Sequence, residues 1–375
     1  MLIVGAGRAG WQVAQALREL HATLPITVVS ACEGDVYDKP QLSVAVARDL
    51  AVDRLVRESA AEAAARLNVR LISGTHAVFA DTATRRLRTT RGTLRWQHLV
   101  LAHGAEPALP AALPPQQVWR VNDLAGYRRL RAALDAAAER RQGEPQHIAI
   151  AGAGLVGCEL ANDLARAGHH ITLLDAQDRP LSAQVPETAS ARLLAAWKDL
   201  PISFIGSVLI EGVDALTEGP STTHRLRLQG REPLVVDHVI AATGLRSPGR
   251  LARSAGLHFD ARAGGISVNG TTGMASVPGV YALGDCAVVD GAASRYIEPI
   301  GRQARAIAHS ILGLSDAVPP AVAPRPVLRV KTSSLPITVS GHAAGGVWQV
   351  ERDDEHGLLM HHVNAAGEAL ATLTA

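Results

Sequence analysis

Short apolar runs, each followed by a glycine-rich turn and a helical pattern of apolar residues, mark two places in the chain. The first run is residues 2–4 (LIV), and after the glycines apolar residues recur at helical spacing over 11–20. A second apolar run, residues 26–29, follows directly. This order predicts a strand, a tight turn, a helix and a second strand, which is the βαβ unit of a parallel sheet.

The same design recurs in the middle of the chain. Residues 147–151 (HIAIA) are strand-like and precede a second glycine turn. Apolar positions at helical spacing follow over 160–167, and residues 171–174 are again strand-like. Two copies of one unit predict an α/β fold with two Rossmann-like dinucleotide-binding domains.

Two proline-rich stretches, residues 106–115 and 318–326, indicate domain boundaries. A helix is predicted between them over 124–141. After Pro326 the pattern changes to short strands such as 335–339 and 346–350, which predicts a small C-terminal β-rich domain.

Composition excludes several classes of protein. With 47% hydrophobic and 19% charged residues the chain is globular, and a net charge of +2 gives no reason to expect nucleic acid as a partner. No apolar run reaches the roughly 18 residues that span a bilayer, so no membrane is predicted. The three cysteines lie far apart, which argues against a disulfide scaffold and favours a reducing, cytoplasmic setting.

Both turns carry the spacing GxGxxG, with Gly5, Gly7 and Gly10 in the first copy and Gly152, Gly154 and Gly157 in the second. The first glycine makes the tight turn, the second lets the backbone approach a pyrophosphate, and the third lets helix and strand pack closely. The helix N-terminus adds positive partial charge. One such motif is a weak signal, but two copies, each between a strand and a helix, predict two bound dinucleotides.

An acidic residue follows the second strand of each unit, where it can accept hydrogen bonds from an adenosine ribose. Asp175 comes directly after its strand, and its carboxylate would repel a 2′-phosphate, which favours NADH over NADPH. Arg179 close by keeps NADPH open as the alternative. Glu33 lies four residues beyond its strand, which is late for a ribose contact.

Further segments resemble those of the two-dinucleotide flavoproteins, the FAD-dependent pyridine nucleotide–disulfide reductases. They are residues 99–104 and 241–246 (similar to the family's ATG-like strands), 281–286 (similar to its ribityl-binding motif), 37–43 (similar to the segment against the isoalloxazine) and 330–332. The form Gly157-Cys158-Glu159 and the segment 330–332 are most similar to bacterial rubredoxin–NAD and flavorubredoxin reductases. The chain departs from the family pattern at His103, where threonine is usual, and in a short C-terminal region.

The resemblance implies a three-layer (ββα) fold and a domain order. It implies an FAD domain in two parts, 1–112 and 244–318, an NAD domain at 113–243, and the small domain at 319–375. It implies FAD contacts from Gly5, Gly7, Gly10, Glu33, Lys39, Pro40, Ala102, Gly104, Gly284, Asp285 and Lys331. It implies NADH contacts from Gly152, Gly154, Gly157, Asp175 and Gly244.

The resemblance also implies two catalytic residues. Lys39 and Glu159 are expected at the flavin edge that receives hydride, Lys39 as a positive charge and Glu159 orienting it. Lys331 is one of only three lysines in an arginine-rich chain, and its segment implies a flavin contact that raises the midpoint potential of FAD.

The cysteine positions decide between reaction types. A disulfide reductase needs two neighbouring thiols beside the flavin, and no CxxC or CxxxxC occurs here. Electrons are therefore expected to leave the flavin for an outside carrier, by resemblance a rubredoxin. Three alternatives stay open: a ferredoxin reductase that feeds an oxygenase, a small-molecule oxidase or reductase, and a flavin-loaded NADH sensor that acts by binding a partner.

Overall fold

The computed structural model describes residues 1–218, 221–293, 295–314, 327–341, 343 and 345–375. The second proline-rich stretch and the predicted boundary at residue 319 lie outside these residues. No helix within the described residues is long and apolar enough to cross a membrane.

In the described residues, single helices separate groups of strands. The α-helices are α1 (Arg8–Leu20), α2 (Ala60–Arg66), α3 (Leu124–Arg140), α4 (Leu155–Arg166), α5 (Glu187–Ala196), α6 (Arg250–Ser254) and α7 (Ile300–Leu312). The strands of the first third are β1 (Leu2–Val4), β2 (Thr27–Val29), β3 (Val36–Tyr37), β4 (Val56–Glu58), β5 (Arg70–Ile72), β6 (Ala77–Asp81), β7 (Arg86–Thr89), β8 (Gly92–Arg95), β9 (Leu99–Leu101) and β10 (Glu106–Pro107). The middle third contains β11 (His147–Ala151), β12 (His170–Leu174), β13 (Ile202–Ile205), β14 (Ile210–Glu218), β15 (Ser221–Leu228), β16 (Leu234–Val236), β17 (His238–Ala241) and β18 (Leu245–Arg246). The last third contains β19 (Phe259–Asp260), β20 (Gly265–Ser267), β21 (Val280–Ala282), β22 (Ala287–Val289), β23 (Ala292–Ala293), β24 (Leu328–Val330), β25 (Ile337–Gly341), β26 (Val347–Asp354), β27 (Gly357–Val363) and β28 (Ala369–Thr374).

The chain forms two compact units, each assembled from three segments. The first unit contains residues 1–38, 54–106 and 245–326, and the second contains 39–53, 107–244 and 327–375. The four-part division 1–112, 113–243, 244–318 and 319–375 stays a prediction.

A parallel sheet with the strand order β21-β9-β1-β2-β5 is the centre of the first unit. Its strands are short and almost wholly apolar because helices cover one face and other strands cover the opposite face. Trp11 and Leu17 of α1 and Ile307 of α7 are buried on the first face. Leu87 and Trp96 from the β6-β7-β8 region are buried on the second, which gives the predicted three layers.

The second unit repeats this plan with the parallel order β13-β12-β11-β17. An antiparallel sheet, β14-β15-β16, packs against it through Val213 and Leu226. Strand β11 has the predicted bounds, and α3 occupies the predicted helical stretch within one residue. The prediction of two Rossmann-like domains is confirmed.

The C-terminal part of the second unit is an antiparallel sheet with the order β24-β25-β28-β27-β26. Buried and part-exposed residues alternate along β27, as expected for a sheet with one covered face. The small β-rich domain is therefore confirmed. His361 and His362 point to opposite faces of β27, so they do not form a shared site.

Candidate functional site

The first glycine turn joins β1 to α1 and depends on glycine for steric reasons. A Cβ on Gly5, whose φ is +111°, would lie 2.3 Å from the Ala102 carbonyl oxygen. A Cβ on Gly10 would lie 1.9 Å from the Gly5 carbonyl oxygen, far inside van der Waals contact. These two positions therefore fix the close packing of the turn against the strand and the helix.

Gly7 has a different surrounding. It precedes the first residue of α1, no side chain caps that helix, and its first turn contains no acidic residue. A Cβ on Gly7 would meet no described atom within 4 Å. The turn thus leaves open space over uncapped N–H groups at a helix N-terminus, which is the arrangement that binds phosphate.

The second turn, between β11 and α4, has the same geometry. A Cβ on Gly157 would lie 1.8 Å from the Gly152 carbonyl oxygen, while a Cβ on Gly154 would meet nothing within 4 Å. Helix α4 also lacks a side-chain cap and an acidic residue in its first turn. Each unit therefore offers one site for the pyrophosphate of a dinucleotide.

Asp175 follows β12 directly and lies against the second turn. Its Oδ2 accepts a hydrogen bond from the Ala153 N–H at 2.5 Å, and its Oδ1 accepts one from the Gln177 N–H at 2.8 Å. The carboxylate is half-buried at the carboxyl end of the sheet, where a ribose is expected. Gly244, with φ of +91°, accepts a hydrogen bond from Ala108 in the same unit.

The other residues predicted to bind FAD in the first unit follow neighbouring parallel strands. Val4, Leu101 and Ala282 are in register as the last residues of β1, β9 and β21. The turns after these strands therefore share one edge of the sheet, and they carry Gly5, Gly7, Ala102, Gly104, Gly284 and Asp285. The Gly284 N–H donates to Gln303 Oε1 at 3.0 Å, which ties this edge to α7.

Glu33 lies in the loop after β2 and is exposed. The neighbouring acid, Asp35, accepts a hydrogen bond from the Ala60 N–H at the start of α2. The structure thus gives Glu33 no fixed orientation toward a ribose, and its role stays a prediction.

The first unit contains buried polar atoms that have no hydrogen-bond partner in the described part of the chain, and these atoms show whether the unit fits FAD. Arg302 Nε and Nη2, Gln12 Oε1 and both ring nitrogens of His103 are buried and have no hydrogen-bond partner among the described residues. Leaving such groups unpaired costs about 1–3 kcal/mol each, and more for a charged group. A ligand with an anionic pyrophosphate and many polar atoms would supply the missing partners, so these residues fit FAD.

Glu159 of α4 is a buried carboxylate of the second unit, with its side chain 3% exposed. Its Oε2 accepts a hydrogen bond from Ser43 Oγ at 2.5 Å. Lys331 Nζ lies 2.7 and 2.6 Å from the two carboxylate oxygens, and the Lys331 N–H donates at 3.0 Å. Three separate segments of the chain therefore meet at this one side chain.

The pairing of Lys331 with Glu159 was not predicted from the sequence. Only Lys39 was predicted to lie beside that carboxylate. The Lys331 ammonium, which was predicted to raise the flavin potential, is paired with Glu159 in the structure. Lys39 and Pro40 lie half-buried in a 3₁₀ turn of the same unit (Lys39–Gln41). Flavin contacts of Lys39, Pro40 and Lys331 stay predictions.

Asp163, one helical turn after Glu159, was also missed. It is buried, and its carboxylate accepts hydrogen bonds from the N–H groups of Val46 at 2.8 Å and Ala47 at 3.3 Å. Burial raises the pKa of this carboxyl to about 6, against the effect of those hydrogen bonds. The signal in the sequence was an acid on the apolar face of α4, spaced four residues from another acid. Together Glu159 and Asp163 hold the segment 39–53 on α4.

The three cysteines are free thiols, and none of them forms a disulfide. Cys158 and Cys286 are buried, and burial raises the pKa of both thiols, that of Cys286 to about 12. Thiols held in the protonated form are poor nucleophiles. Cys32 is exposed. This chain therefore lacks the dithiol relay that a disulfide reductase uses.

Comparison with known proteins identifies the family. Residues 1–309 match the family model described as pyridine nucleotide-disulphide oxidoreductase. The chain belongs to this family. Residues 321–371 match a second model, described as the rubredoxin binding C-terminal domain. The protein is therefore an oxidoreductase that uses FAD and NADH, as the sequence predicted.

Individual relatives cover almost the whole chain. The chain is 34% identical over 361 residues to the nitric oxide reductase FlRd-NAD(+) reductase of Aeromonas salmonicida. That alignment covers 96% of this chain and 88% of the relative. It is 32% identical over 370 residues to the protein of the same name from Klebsiella pneumoniae, covering 99% and 90%. Among solved structures, the putidaredoxin reductase in a covalent complex with putidaredoxin has a TM-score of 0.84 at 25% identity, covering 100% of this chain and 88% of that one.

Gly7→Ala is expected to leave the FAD-free fold intact and to weaken FAD binding by about tenfold, or about 1.4 kcal/mol. The φ of −82° at Gly7 suits alanine, and the new methyl group has room in the protein. It would stand in the open space over α1, where the pyrophosphate is expected. The dissociation constant follows from titration of flavin fluorescence, and thermal unfolding checks the fold.

Gly10→Ala is the matched control, since its Cβ would collide with the Gly5 carbonyl. We expect that variant to lose both stability and FAD. A Gly7→Ala protein that binds FAD as tightly as the parent would contradict the assignment of the first turn.

Proposed function

We propose that this protein transfers electrons from NADH to rubredoxin. The observation that carries the proposal is the match of residues 321–371 to a rubredoxin-binding domain. Within that segment, Lys331 bonds Glu159 of the helix that begins at the second glycine turn. An ion pair between a buried carboxylate and a part-exposed ammonium thus joins the segment matched to carrier binding to the helix of the predicted NADH site.

FAD, when bound, supplies the chemistry that converts the two-electron hydride of NADH into single electrons for an iron carrier. The glycine turns bind the two pyrophosphates through N–H groups at the starts of α1 and α4. Asp175 accepts hydrogen bonds from the ribose of NADH and keeps the Ala153 N–H in place. Glu159 and Lys331 fix the position of α4 relative to the segment that carries Lys39.

The relatives support an iron carrier and differ in its type. The two curated relatives are flavorubredoxin reductases by name, and the solved structure is a reductase held to putidaredoxin. We place rubredoxin first because the matched C-terminal model names it. A ferredoxin of the putidaredoxin type is the second candidate, supported by the likeness to that complex. We also propose the reducing cytoplasm as the compartment, in keeping with three free thiols.

The experiment compares carriers under one set of conditions. The protein is loaded with FAD, and anaerobic reduction of rubredoxin and of a [2Fe–2S] ferredoxin by NADH is followed by visible absorption. We expect a kcat/KM at least tenfold higher with rubredoxin. A preference for ferredoxin would favour the second candidate, and turnover with neither carrier would favour an NADH sensor.

Carrier association is expected to slow as salt rises, because exposed arginines would attract an acidic carrier. The sequence offers two arginine clusters for this role, Arg128 with Arg129 and Arg131, and Arg302 with Arg305. Arg131 is ion-paired with Asp49 and Asp135, and two guanidinium nitrogens of Arg302 are buried. Arg128, Arg129 and Arg305 remain exposed. Arg128 Nη2 lies 3.7 Å from Oδ1 of the exposed Asp53, a loose ion pair that solvent screens.

The measurement is the second-order rate of rubredoxin reduction at rising ionic strength, for the parent and for Arg128→Gln/Arg129→Gln. We expect a severalfold lower rate at low salt for the double variant and a weaker salt slope. Arg66→Gln, which removes an exposed arginine already paired with Glu58, is the control and should change neither. A rate independent of salt in the parent would contradict electrostatic docking.

A further inference from the structure

His103 carries two buried polar atoms that form no well-aligned hydrogen bond with the described residues. Nδ1 and Nε2 of its ring are both enclosed, and neither has a hydrogen-bond partner among the described residues. Nearly all buried polar atoms in proteins have such a partner, so an imidazole with none at all indicates a missing ligand. A neutral imidazole has one donor and one acceptor to offer.

The position of this ring is set by the sheet of the first unit. His103 comes two residues after Leu101, the last residue of β9, at the carboxyl edge where β1 and β21 also end. Its Cα would lie only 3.1 Å from a Cβ placed on Gly5, so its loop packs directly against the first glycine turn. In open α/β sheets, ligands bind at this edge.

The backbone around His103 is held in place. The Ala102 N–H donates to the Val4 carbonyl at 2.8 Å, and the Leu101 carbonyl accepts from the Leu283 N–H and from Cys286 Sγ, each at 3.2 Å. These bonds connect the three strand ends that form the predicted FAD site. The ring is therefore attached to a fixed loop rather than to one that adapts to its surroundings.

Burial also fixes the protonation state. Desolvation lowers the pKa of His103 to about 4, and the Gly104 backbone acts in the opposite direction. The ring is thus neutral at pH 7, with a single N–H and a single unprotonated nitrogen. Such a ring can donate to a carbonyl or phosphate oxygen and accept from a hydroxyl group, and FAD contains all three.

We propose that His103 is an FAD-binding residue that hydrogen-bonds the bound flavin nucleotide through its neutral imidazole. This inference rests on the use of FAD in the proposed function, and it does not depend on which carrier receives the electrons. It gives a role to the residue at which the sequence departs from the family's threonine.

The test measures FAD affinity and the absorption spectrum of the bound flavin in the holoenzyme. We expect His103→Phe, which keeps a ring but no polar atom, to raise the FAD dissociation constant about tenfold and to shift the flavin absorption bands. His98→Phe is the matched control, because His98 precedes the same strand at its opposite end and also has a buried ring nitrogen without a partner. We expect His98→Phe to leave FAD affinity within twofold of the parent.

A second variant covers the case in which the phenylalanine protein does not fold. His103→Ala is assayed with and without added imidazole, and imidazole is expected to restore FAD affinity severalfold. Three results would overturn the proposal. They are an unchanged FAD affinity and spectrum in His103→Phe, a loss of FAD affinity in His98→Phe equal to that in His103→Phe, and a loss in His103→Ala that imidazole does not restore. No carrier is present in these assays. A protein that does not reduce rubredoxin could therefore still show the expected effects on FAD binding.

Discussion

Lys331→Met is expected to lower the free energy of unfolding by about 2 kcal/mol. Removing one partner of a fully buried ion pair typically costs 3–5 kcal/mol, and the exposure of Lys331 reduces this figure through solvent screening. The side chain of Lys331 is 37% exposed, whereas that of Glu159 is 3% exposed. The variant leaves Glu159 with hydrogen bonds from Ser43 Oγ and the backbone of residue 331 only.

A double-mutant cycle isolates the ion pair. Urea unfolding at pH 7 is measured for Lys331→Met, Glu159→Gln and the combination, and the combined variant should be more stable than the sum of the single losses predicts. The exposed pair Arg66–Glu58 is the control, and Arg66→Met should cost well under about 1 kcal/mol. Strictly additive losses at Lys331 and Glu159 would show that the contact contributes no coupling.

Asp175→Ser is expected to shift the preference between NADH and NADPH by about thirtyfold toward NADPH. A charge pair at about 4 Å contributes roughly 4 kcal/mol at an effective dielectric near 20, and partial exposure of Asp175 reduces that to about 2 kcal/mol. This free energy corresponds to about thirtyfold in the ratio of kcat/KM values. The measurement is flavin reduction by each nucleotide in the stopped-flow spectrometer.

Two further variants separate charge from loop structure. Asp175→Asn removes the charge and keeps an oxygen that can accept from the Ala153 N–H. Asp178→Ser changes an exposed acid three residues further on and should leave the ratio unchanged. If both Asp175 variants keep the ratio of the parent, Asp175 does not select the nucleotide.

Much of the fold could be predicted because its determinants are local in sequence. The apolar run 147–151 and the glycines after it specify a strand end and a turn within about ten residues, and β11 has the predicted bounds. The predicted helix over 124–141 begins at Leu124 because Asp123 caps it through the Gly126 N–H at 2.6 Å. Patterns of this kind need no knowledge of distant residues.

The ion pair at Glu159 could not be predicted in the same way. Its partners Ser43 and Lys331 are 116 and 172 residues away in sequence, so only the folded chain brings them together. The surroundings of the clustered arginines could not be predicted for a related reason. The sequence shows that Arg131 and Arg302 are close to other arginines along the chain. It does not show that Arg131 pairs with Asp49, or that guanidinium nitrogens of Arg302 are buried.

A single-turnover experiment with the FAD-loaded protein follows electrons from NADH through the flavin to rubredoxin. The flavin is first reduced with one equivalent of NADH under anaerobic conditions and is then mixed with excess oxidised rubredoxin in a stopped-flow spectrometer. We expect flavin reoxidation and rubredoxin reduction to proceed with the same rate constant, and two rubredoxins to be reduced per flavin. Flavin that NADH reduces but rubredoxin does not reoxidise would show that rubredoxin is not the electron acceptor.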